Sequence, residues 1–135
     1  METAGPKTET RILIVDDEPP LLKMMSLYLR RLGYVVTACE RTEQALALDR
    51  AEIRDLALAV LDASMEGNPL DELAMSMLRE NRSMRILAAS GYPVDVSTLE
   101  AAAPGRVAFL HKPFSPEMLA ATVRRMIGAE EEKGI

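Results

Sequence analysis

The chain has 135 residues, of which 48% are hydrophobic and 27% are charged, as expected for one globular domain. Its formal net charge of −5 argues against nucleic-acid binding, which needs a basic face. A single cysteine excludes an intramolecular disulfide and no apolar stretch approaches the length of a membrane span, so we expect a cytoplasmic protein that does not contact a membrane.

The first half of the chain alternates between apolar runs and segments with helical spacing. A polar leader over residues 1–10 precedes the first run, and two prolines open an amphipathic segment that ends at Gly33. The predicted elements are a strand over Arg11–Val15, a helix over Leu21–Leu32, a strand over Tyr34–Thr37, a helix from its cap Thr42 to about Ala51, and a strand over Leu56–Leu61. The alanines in the last segment leave a helix open as an alternative there.

The second half repeats this alternation. The predicted elements are a helix over Leu70–Arg79, a strand over Arg85–Ala89, a short helix within Val96–Ala103, a strand over Val107–Leu110, and a helix that begins with the cap Ser115 and ends at Gly128. We therefore expect one domain over residues 11–128 and a charged tail over residues 129–135. Five strands alternating with five helices predict a parallel sheet that is covered on both faces.

Polar residues collect where the apolar strands end. Asp16 and Asp17 follow the first strand, and Asp62, Ser90 and Lys112 lie at or just beyond the ends of later ones. The carboxyl ends of parallel strands share one edge of a sheet, and open α/β sheets bind their ligands in the crevice at that edge. The sequence therefore predicts that these five side chains meet in one shallow pocket.

The composition of this pocket indicates phosphoryl chemistry. Clustered carboxylates repel one another unless a cation neutralises them, and a set of oxygen ligands suits Mg²⁺. Lys112 adds a positive charge and Ser90 a hydroxyl, both useful to an incoming phosphoryl group. A carboxylate is a suitable nucleophile, and phosphoryl transfer mainly requires positioning and charge neutralisation. Taken singly, each residue is explained as a cap, a turn residue or a surface lysine; taken together they are not.

Four segments carry a resemblance to a known family: residues 12–19 (ILIVDDEP), 60–62 (VLD), 86–92 (ILAASGY) and 109–114 (FLHKPF). In order and spacing the chain resembles the receiver domain of two-component response regulators, over roughly residues 10–128. The resemblance implies a flavodoxin-like, doubly wound α/β fold with strand order 2-1-3-4-5 and five helices. It also implies a phosphoacceptor that is not otherwise an enzyme, serves a sensor histidine kinase or His-phosphotransfer protein, and signals to an unidentified protein target.

The resemblance also implies the roles of the site residues. Asp62 would be the phosphoacceptor and, with Asp17 and the backbone carbonyl of Ser64, would bind Mg²⁺ directly, while Asp16 would hold a metal-bound water. No other cofactor is implied.

Three further residues would act on the bound phosphoryl group. Lys112 would pair with it, aimed by a cis bond to Pro113, and Ser90 would hydrogen-bond one of its oxygens. Phe109 resembles the aromatic residue that rotates inward when that hydrogen bond forms. From the residues alone, Phe109 is explained as a strand aromatic that packs in the core.

Two alternatives stay open at this point. An aspartate-nucleophile phosphatase with a related core is faintly suggested by Asp16 and Glu18, although it leaves Asp62 and Lys112 unexplained. A degenerate receiver that serves as an unphosphorylated binding module is the other. The chain has one histidine, His111, which we expect at a surface or in a structural role, so a phosphohistidine donor would come from another protein.

Overall fold

A computed structural model of the chain describes residues 9–65 and 70–133, with side chains described as far as residue 128. The described residues form a five-stranded parallel sheet in the order β2-β1-β3-β4-β5. Its strands are β1 (Arg11–Val15), β2 (Val35–Cys39), β3 (Leu56–Asp62), β4 (Arg85–Ser90) and β5 (Val107–His111). The predicted fold class and strand order are confirmed, and the third apolar segment is a strand rather than a helix.

Both faces of the sheet are covered at its central strands, which explains the continuous apolar runs of β1, β3 and β4; the edge strands β2 and β5 are partly exposed. Along β1, Leu13 and Val15 enter one hydrophobic core, whereas Ile12 and Ile14 enter the other. This division follows the two-residue period of a strand, whose side chains point alternately to opposite faces. The central strands are therefore packed between two hydrophobic cores, which fix the positions of the residues at their ends.

Helices cover the two faces unequally. The described residues include six helices: α1 (Pro19–Arg31), α2 (Thr42–Leu46), α3 (Arg50–Arg54), α4 (Leu70–Glu80), α5 (Ser97–Ala102) and α6 (Pro116–Lys133). Helices α1 and α6 pack together on one face, and the other four share the opposite core. None of the helices in the described ranges is long and apolar enough to cross a membrane.

The single helix predicted from Thr42 to Ala51 is wrong, and two short helices replace it. The chain breaks before Asp49, whose carboxylate accepts a hydrogen bond from the backbone N–H of Glu52 at 2.8 Å. The Glu52 carboxylate in turn accepts one from the N–H of Asp49 at 3.0 Å, and this reciprocal capping starts a new helix. Thr42 is the first helical residue of α2 rather than its cap, and the described helices number six instead of five.

The prediction that Gly128 ends the last helix is also wrong, because α6 continues to Lys133. At Gly33 a φ of 103° places the chain in the left-handed region, and the N–H of Tyr34 reaches back to the carbonyl of Leu29 at 3.2 Å, which ends α1. Gly128 lacks a positive φ, and helix-favouring residues follow it. The expected tail is thus helical as far as Lys133, while residues 1–8 of the expected leader lie outside the described residues.

Candidate functional site

The predicted site residues meet at the carboxyl edge of the sheet. Val15 pairs with Leu61, so the aspartates that follow them, Asp16 and Asp62, are neighbours across adjacent strands. On the far side, β4 and β5 are joined beyond their ends by a 2.8 Å hydrogen bond from the backbone N–H of Lys112 to the carbonyl of Ser90. The parallel register thus brings residues that lie almost 100 positions apart in sequence into contact, as Lys112 and Asp16 do.

Lys112 lies at the centre of this arrangement. Its ammonium nitrogen lies 3.1 Å from Asp16 Oδ2, 3.3 Å from Asp62 Oδ2 and 3.5 Å from Glu18 Oε2. The lysine side chain is only 11% exposed, so water screens these ion pairs less than at an open surface. One cation is thus shared by three carboxylates.

The two oxygens of Asp62 have different surroundings. Oδ1 accepts hydrogen bonds from the backbone N–H of Ser64 at 2.9 Å and from its hydroxyl at 2.6 Å. Oδ2 is buried and has no hydrogen-bond partner among the described residues; its contact with Lys112 is an ion pair without hydrogen-bond geometry. The side chain is therefore fixed through one oxygen, and the other is left to react or to bind a cation.

The protonation equilibria reflect an excess of buried negative charge. Burial raises the pKa of Asp16 above its usual 3.8, and the charge of Asp62 adds to the increase, despite the hydrogen bonds from Glu18 N–H and Lys112. Burial alone would lower the pKa of Lys112, but its hydrogen bond to Asp16 and the charges of the surrounding acids raise it above 10.5. Three acids sharing one ammonium explain both shifts, because the protonated lysine is stabilised by several carboxylates, whereas one lysine does not fully compensate the buried charge of Asp16.

The acid cluster fits a divalent metal ion. Asp16, Asp17, Glu18 and Asp62 each present a carboxylate oxygen, and these four atoms lie within 4.8 Å of one another. Asp17 is exposed and does not cap α1, whose N-cap is Glu18 without a side-chain hydrogen bond. Hard oxygen ligands and a buried, unbonded Asp62 oxygen match the preference of Mg²⁺. The residues present are therefore capable of holding the ion.

An open cleft of about 510 Å³ lies over the cluster, lined by Glu18, Ser64, Tyr92, Lys112 and Phe114 among others. Ser90 lies beneath, fully buried, and its hydroxyl oxygen accepts a hydrogen bond from the N–H of Tyr92 at 3.1 Å. The Lys112–Pro113 peptide bond is cis, as expected. The site thus has an approach from solvent, although its reactive atoms are largely buried.

Phe109 differs from the simple expectation of core packing. Its side chain is 36% exposed, and its ring packs edge-on against that of His111, with centroids 6.4 Å apart. His111 is exposed too, in agreement with its expected surface position. Both side chains project from the same face of β5, at the sheet edge next to the site.

Glu18 is the residue of the site that the sequence reasoning left out of the metal cluster. The available signal was its place as the third acid in the run Asp16-Asp17-Glu18. The chain's one cysteine, Cys39 at the end of β2, is buried in the core, and this burial raises the pKa of its thiol, as expected for a small apolar core residue.

Comparison with known proteins agrees with this geometry. The family model of the response regulator receiver domain matches residues 12–124. The chain belongs to that family. Among curated relatives of this receiver domain are the transcriptional regulatory protein ResD of Bacillus subtilis, 28% identical over 88% of this chain and 48% of ResD, and the alginate biosynthesis regulator AlgB of Pseudomonas aeruginosa, 34% identical over 88% of this chain and 26% of AlgB.

Solved structures lead to the same conclusion. The chemotaxis protein CheY4 of Vibrio cholerae is 26% identical with a TM-score of 0.71, covering 88% of this receiver domain and 99% of that chain. A CheY-like receiver domain from Methanospirillum hungatei has a TM-score of 0.76 at 23% identity, covering 93% and 99% of the two chains, and supports the fold alone. The chain spans a quarter to about half the length of ResD and AlgB.

Proposed function

We propose that this receiver domain accepts a phosphoryl group on Asp62 with the help of Mg²⁺ and thereby switches a protein-binding face. The observation that supports this most strongly is the buried, unbonded Asp62 Oδ2, 3.3 Å from the ammonium of Lys112 and within a cluster of further carboxylates. A structural carboxylate would have its oxygens satisfied by hydrogen bonds. An oxygen left in this condition is suited to nucleophilic attack.

In the proposed reaction, Asp62 Oδ2 attacks the phosphorus of a phosphohistidine in another protein. A P–O bond to Asp62 forms, the P–N bond breaks, and its electron pair returns to the imidazole nitrogen of the donor. The hydrogen bonds from Ser64 to Oδ1 fix the rotation of the carboxylate during this step. Lys112 neutralises negative charge on the phosphoryl oxygens, and the Ser90 hydroxyl donates a hydrogen bond to one of them.

Asp17, Asp62 and the backbone carbonyl of Ser64 would hold Mg²⁺ directly, with Asp16 acting through a water molecule. The ion would supply the charge neutralisation that lets an anionic phosphoryl group approach several carboxylates. Glu18, which also lies within the cluster, adds a fourth carboxylate at its exposed side.

A small phosphodonor such as acetyl phosphate tests the acceptor. We expect intact-mass spectrometry to detect one phosphoryl increment in the wild type with Mg²⁺, and none with EDTA or in Asp62→Asn. Asp95→Asn serves as the matched control, because Asp95 is an exposed aspartate outside the acid cluster. Undiminished labelling of Asp62→Asn would refute the assignment of the acceptor. Repeated turnover of acetyl phosphate by a chain that stays unlabelled would instead favour the phosphatase alternative.

The switch would begin at Ser90 and Lys112 and end at Phe109. A phosphoryl group that draws the Ser90 hydroxyl away from the N–H of Tyr92 changes the loop after β4, and the exposed Phe109 ring would rotate towards the space released. We expect Lys112→Ala to retain Mg²⁺ binding but to lose the amide NMR shifts of residues 90–92 and 107–111 that follow phosphorylation. A response equal to that of the wild type would contradict the role of Lys112.

The partners follow from the chemistry. Since His111 is the chain's one histidine and lies outside the acid cluster, the phosphohistidine belongs to a sensor histidine kinase or a His-phosphotransfer protein. Because such donors phosphorylate their targets inside the cell, we assign the chain to the cytoplasm. The downstream partner would be a protein that recognises the face around Phe109.

A further inference from the structure

A second, basic groove lies at the opposite edge of the sheet from Asp62. It is about 540 Å³ in volume and is lined by Met75, Leu78 and Arg79 of α4, by Arg82 in the turn after it, by Ala102 at the end of α5 and by Arg106 just before β5. Arg106 immediately precedes β5, and its carbonyl accepts the N–H of Ile86 at the start of β4. The length of β4, six residues, separates the groove from the phosphorylation edge by roughly 16 Å.

Three arginines in this groove have no acidic partner among the described residues. Arg79, Arg82 and Arg106 form no ion pair there, although the chain has 21 acidic side chains against 16 basic ones. Two acids close to these arginines in sequence are engaged elsewhere, since Glu80 pairs with Arg50 and Arg54, and Glu100 accepts the N–H of Gly105. Three arginines from separate segments, with no acidic side chain among the described lining residues, therefore concentrate positive charge locally in an acidic protein.

Arg106 provides an independent observation. Its Nε is buried and has no hydrogen-bond partner among the described residues, and an unsatisfied buried donor is unfavourable for the folded protein. The helix dipole accounts for Arg79, which lies in the last turn of α4, but Arg82 and Arg106 lie outside any helix. An anion in the groove would neutralise the charge of all three side chains and would give the Arg106 guanidinium the partner that it lacks among the described residues.

The lining favours a ligand with both charged and apolar parts. Guanidinium groups bind phosphate oxygens through paired N–H donors, and three of them suit more than one phosphate. Met75 and Leu78 form an apolar wall, and methionine adapts readily to a flat ring. The volume lies within the range of about 300–1,000 Å³ that small-molecule sites occupy. We propose that this groove binds a nucleotide, with its phosphates on the arginines and its base against α4.

The test uses the whole chain in EDTA, so that Mg²⁺ cannot recruit phosphates to the acid cluster. The probes are ATP, inorganic pyrophosphate, adenosine and a hexaglutamate peptide, followed by amide NMR. We expect ATP to shift residues 75–82 and 102–107, pyrophosphate to bind there more weakly, and adenosine and the peptide to cause no shift. No response to ATP, or a response only elsewhere, would overturn the proposal. An affinity for the peptide equal to that for ATP would also overturn it. Equal affinities for ATP and pyrophosphate would contradict the proposed contact between the base and α4.

Arginine variants separate a built site from general electrostatics. Arg82→Glu reverses an exposed charge and is expected to weaken ATP binding by about tenfold or more. The control Arg125→Glu makes the same change at an exposed position on α6, on the other face of the sheet, and should leave the affinity nearly unchanged. Equal losses in both variants would mean that net charge alone governs binding. Arg106→Gln, if folded by circular dichroism, should also lose binding; retention of the wild-type affinity would contradict the role of Arg106.

Discussion

At the scale of single residues, Lys112 links the electrostatics of the site to its chemistry. The same ammonium balances Asp16, Asp62 and Glu18 when no ligand is bound and is positioned to meet a phosphoryl group on Asp62. Its distance from Asp62 Oδ2, 3.3 Å, would place it beside any group attached to that oxygen. If Asp62 is phosphorylated as proposed, the ion pairs would already hold the lysine beside the new group, and little reorganisation would be needed.

Replacing Lys112 should have two separate effects, one on the stability of the fold and one on the affinity of the carboxylates for Mg²⁺. Because the folded pKa of Lys112 is raised, its charge contributes stability at every pH below the ordinary lysine value of 10.5, and this contribution is lost as the pH rises through the folded pKa. We expect Lys112→Met at pH 7 in EDTA to lower the free energy of unfolding by about 1–3 kcal/mol, measured by urea denaturation. Calorimetry should show that the variant binds Mg²⁺ several-fold more tightly, since no ammonium competes for the carboxylates.

Lys23→Met is the matched control, since Lys23 is exposed on α1 and forms no ion pair among the described residues. Both its stability and its Mg²⁺ affinity should stay near those of the wild type. A Lys112→Met variant with unchanged stability and weaker Mg²⁺ binding would contradict the view that the lysine compensates the cluster.

At the scale of elements, the strands were predictable and the helix boundaries were not. Continuous apolar runs identify β1, β3 and β4 because both faces of the sheet are covered. The boundary between α2 and α3 depends instead on local hydrogen bonds, although the spacing of Asp49 and Glu52 is a readable capping signal. The sequence could not predict that α6 continues past Gly128, because a glycine ends α1 at Gly33 and only the backbone conformation distinguishes the two positions.

These two glycines give opposite predictions for the same substitution. A Cβ at Gly128 would meet Arg124 Cγ at 3.8 Å, an ordinary contact, so Gly128→Ala should stabilise the protein by about 0.5–1 kcal/mol. Gly33 has a φ of 103°, which side chains rarely adopt, so Gly33→Ala should destabilise it by about 1–2 kcal/mol. Urea denaturation at pH 7 measures both changes. A loss of stability in Gly128→Ala would contradict the helical continuation of α6.

At the scale of the whole molecule, the site was predictable because topology creates it. Any parallel sheet brings the ends of its strands to one edge, so Asp16, Asp62, Ser90 and Lys112 were expected to meet before any distance was known. The sequence could not show that Glu18 contacts Lys112, because that depends on a side-chain rotamer, or that Phe109 is exposed, because that depends on which face of β5 is left uncovered. The basic groove could not be predicted either, because its arginines come from separate segments that meet only in the folded chain.

We expect the acid cluster to determine how the stability of the whole molecule depends on pH and on Mg²⁺. The folded pKa of Asp16 is raised, so above the ordinary carboxyl value of 3.8 the folded chain holds a proton that the unfolded chain has lost. Stability therefore falls as the pH rises through this window and stays reduced above it. We expect Asp16→Asn in EDTA to be more stable than the wild type at pH 7, with a difference that disappears below pH 3.8, where the wild-type carboxyl is protonated in both states.

Magnesium should reverse this order. An ion that binds only the folded chain stabilises it by about 2.7 kcal/mol at a concentration of 100 times Kd, and the wild type should gain more than Asp16→Asn, which lacks one carboxylate of the cluster. Asp95→Asn should be slightly less stable than the wild type at pH 7 in EDTA, because hydrogen bonds from Ser97 lower the pKa of Asp95 and so favour its charged form in the folded chain. With Mg²⁺ it should gain as much stability as the wild type. Urea denaturation at several pH values, with and without Mg²⁺, measures all three proteins. A variant Asp16→Asn that is less stable than the wild type at pH 7 in EDTA would show that repulsion among the carboxylates does not destabilise the fold. Relief of that repulsion could then not explain a stabilising effect of Mg²⁺.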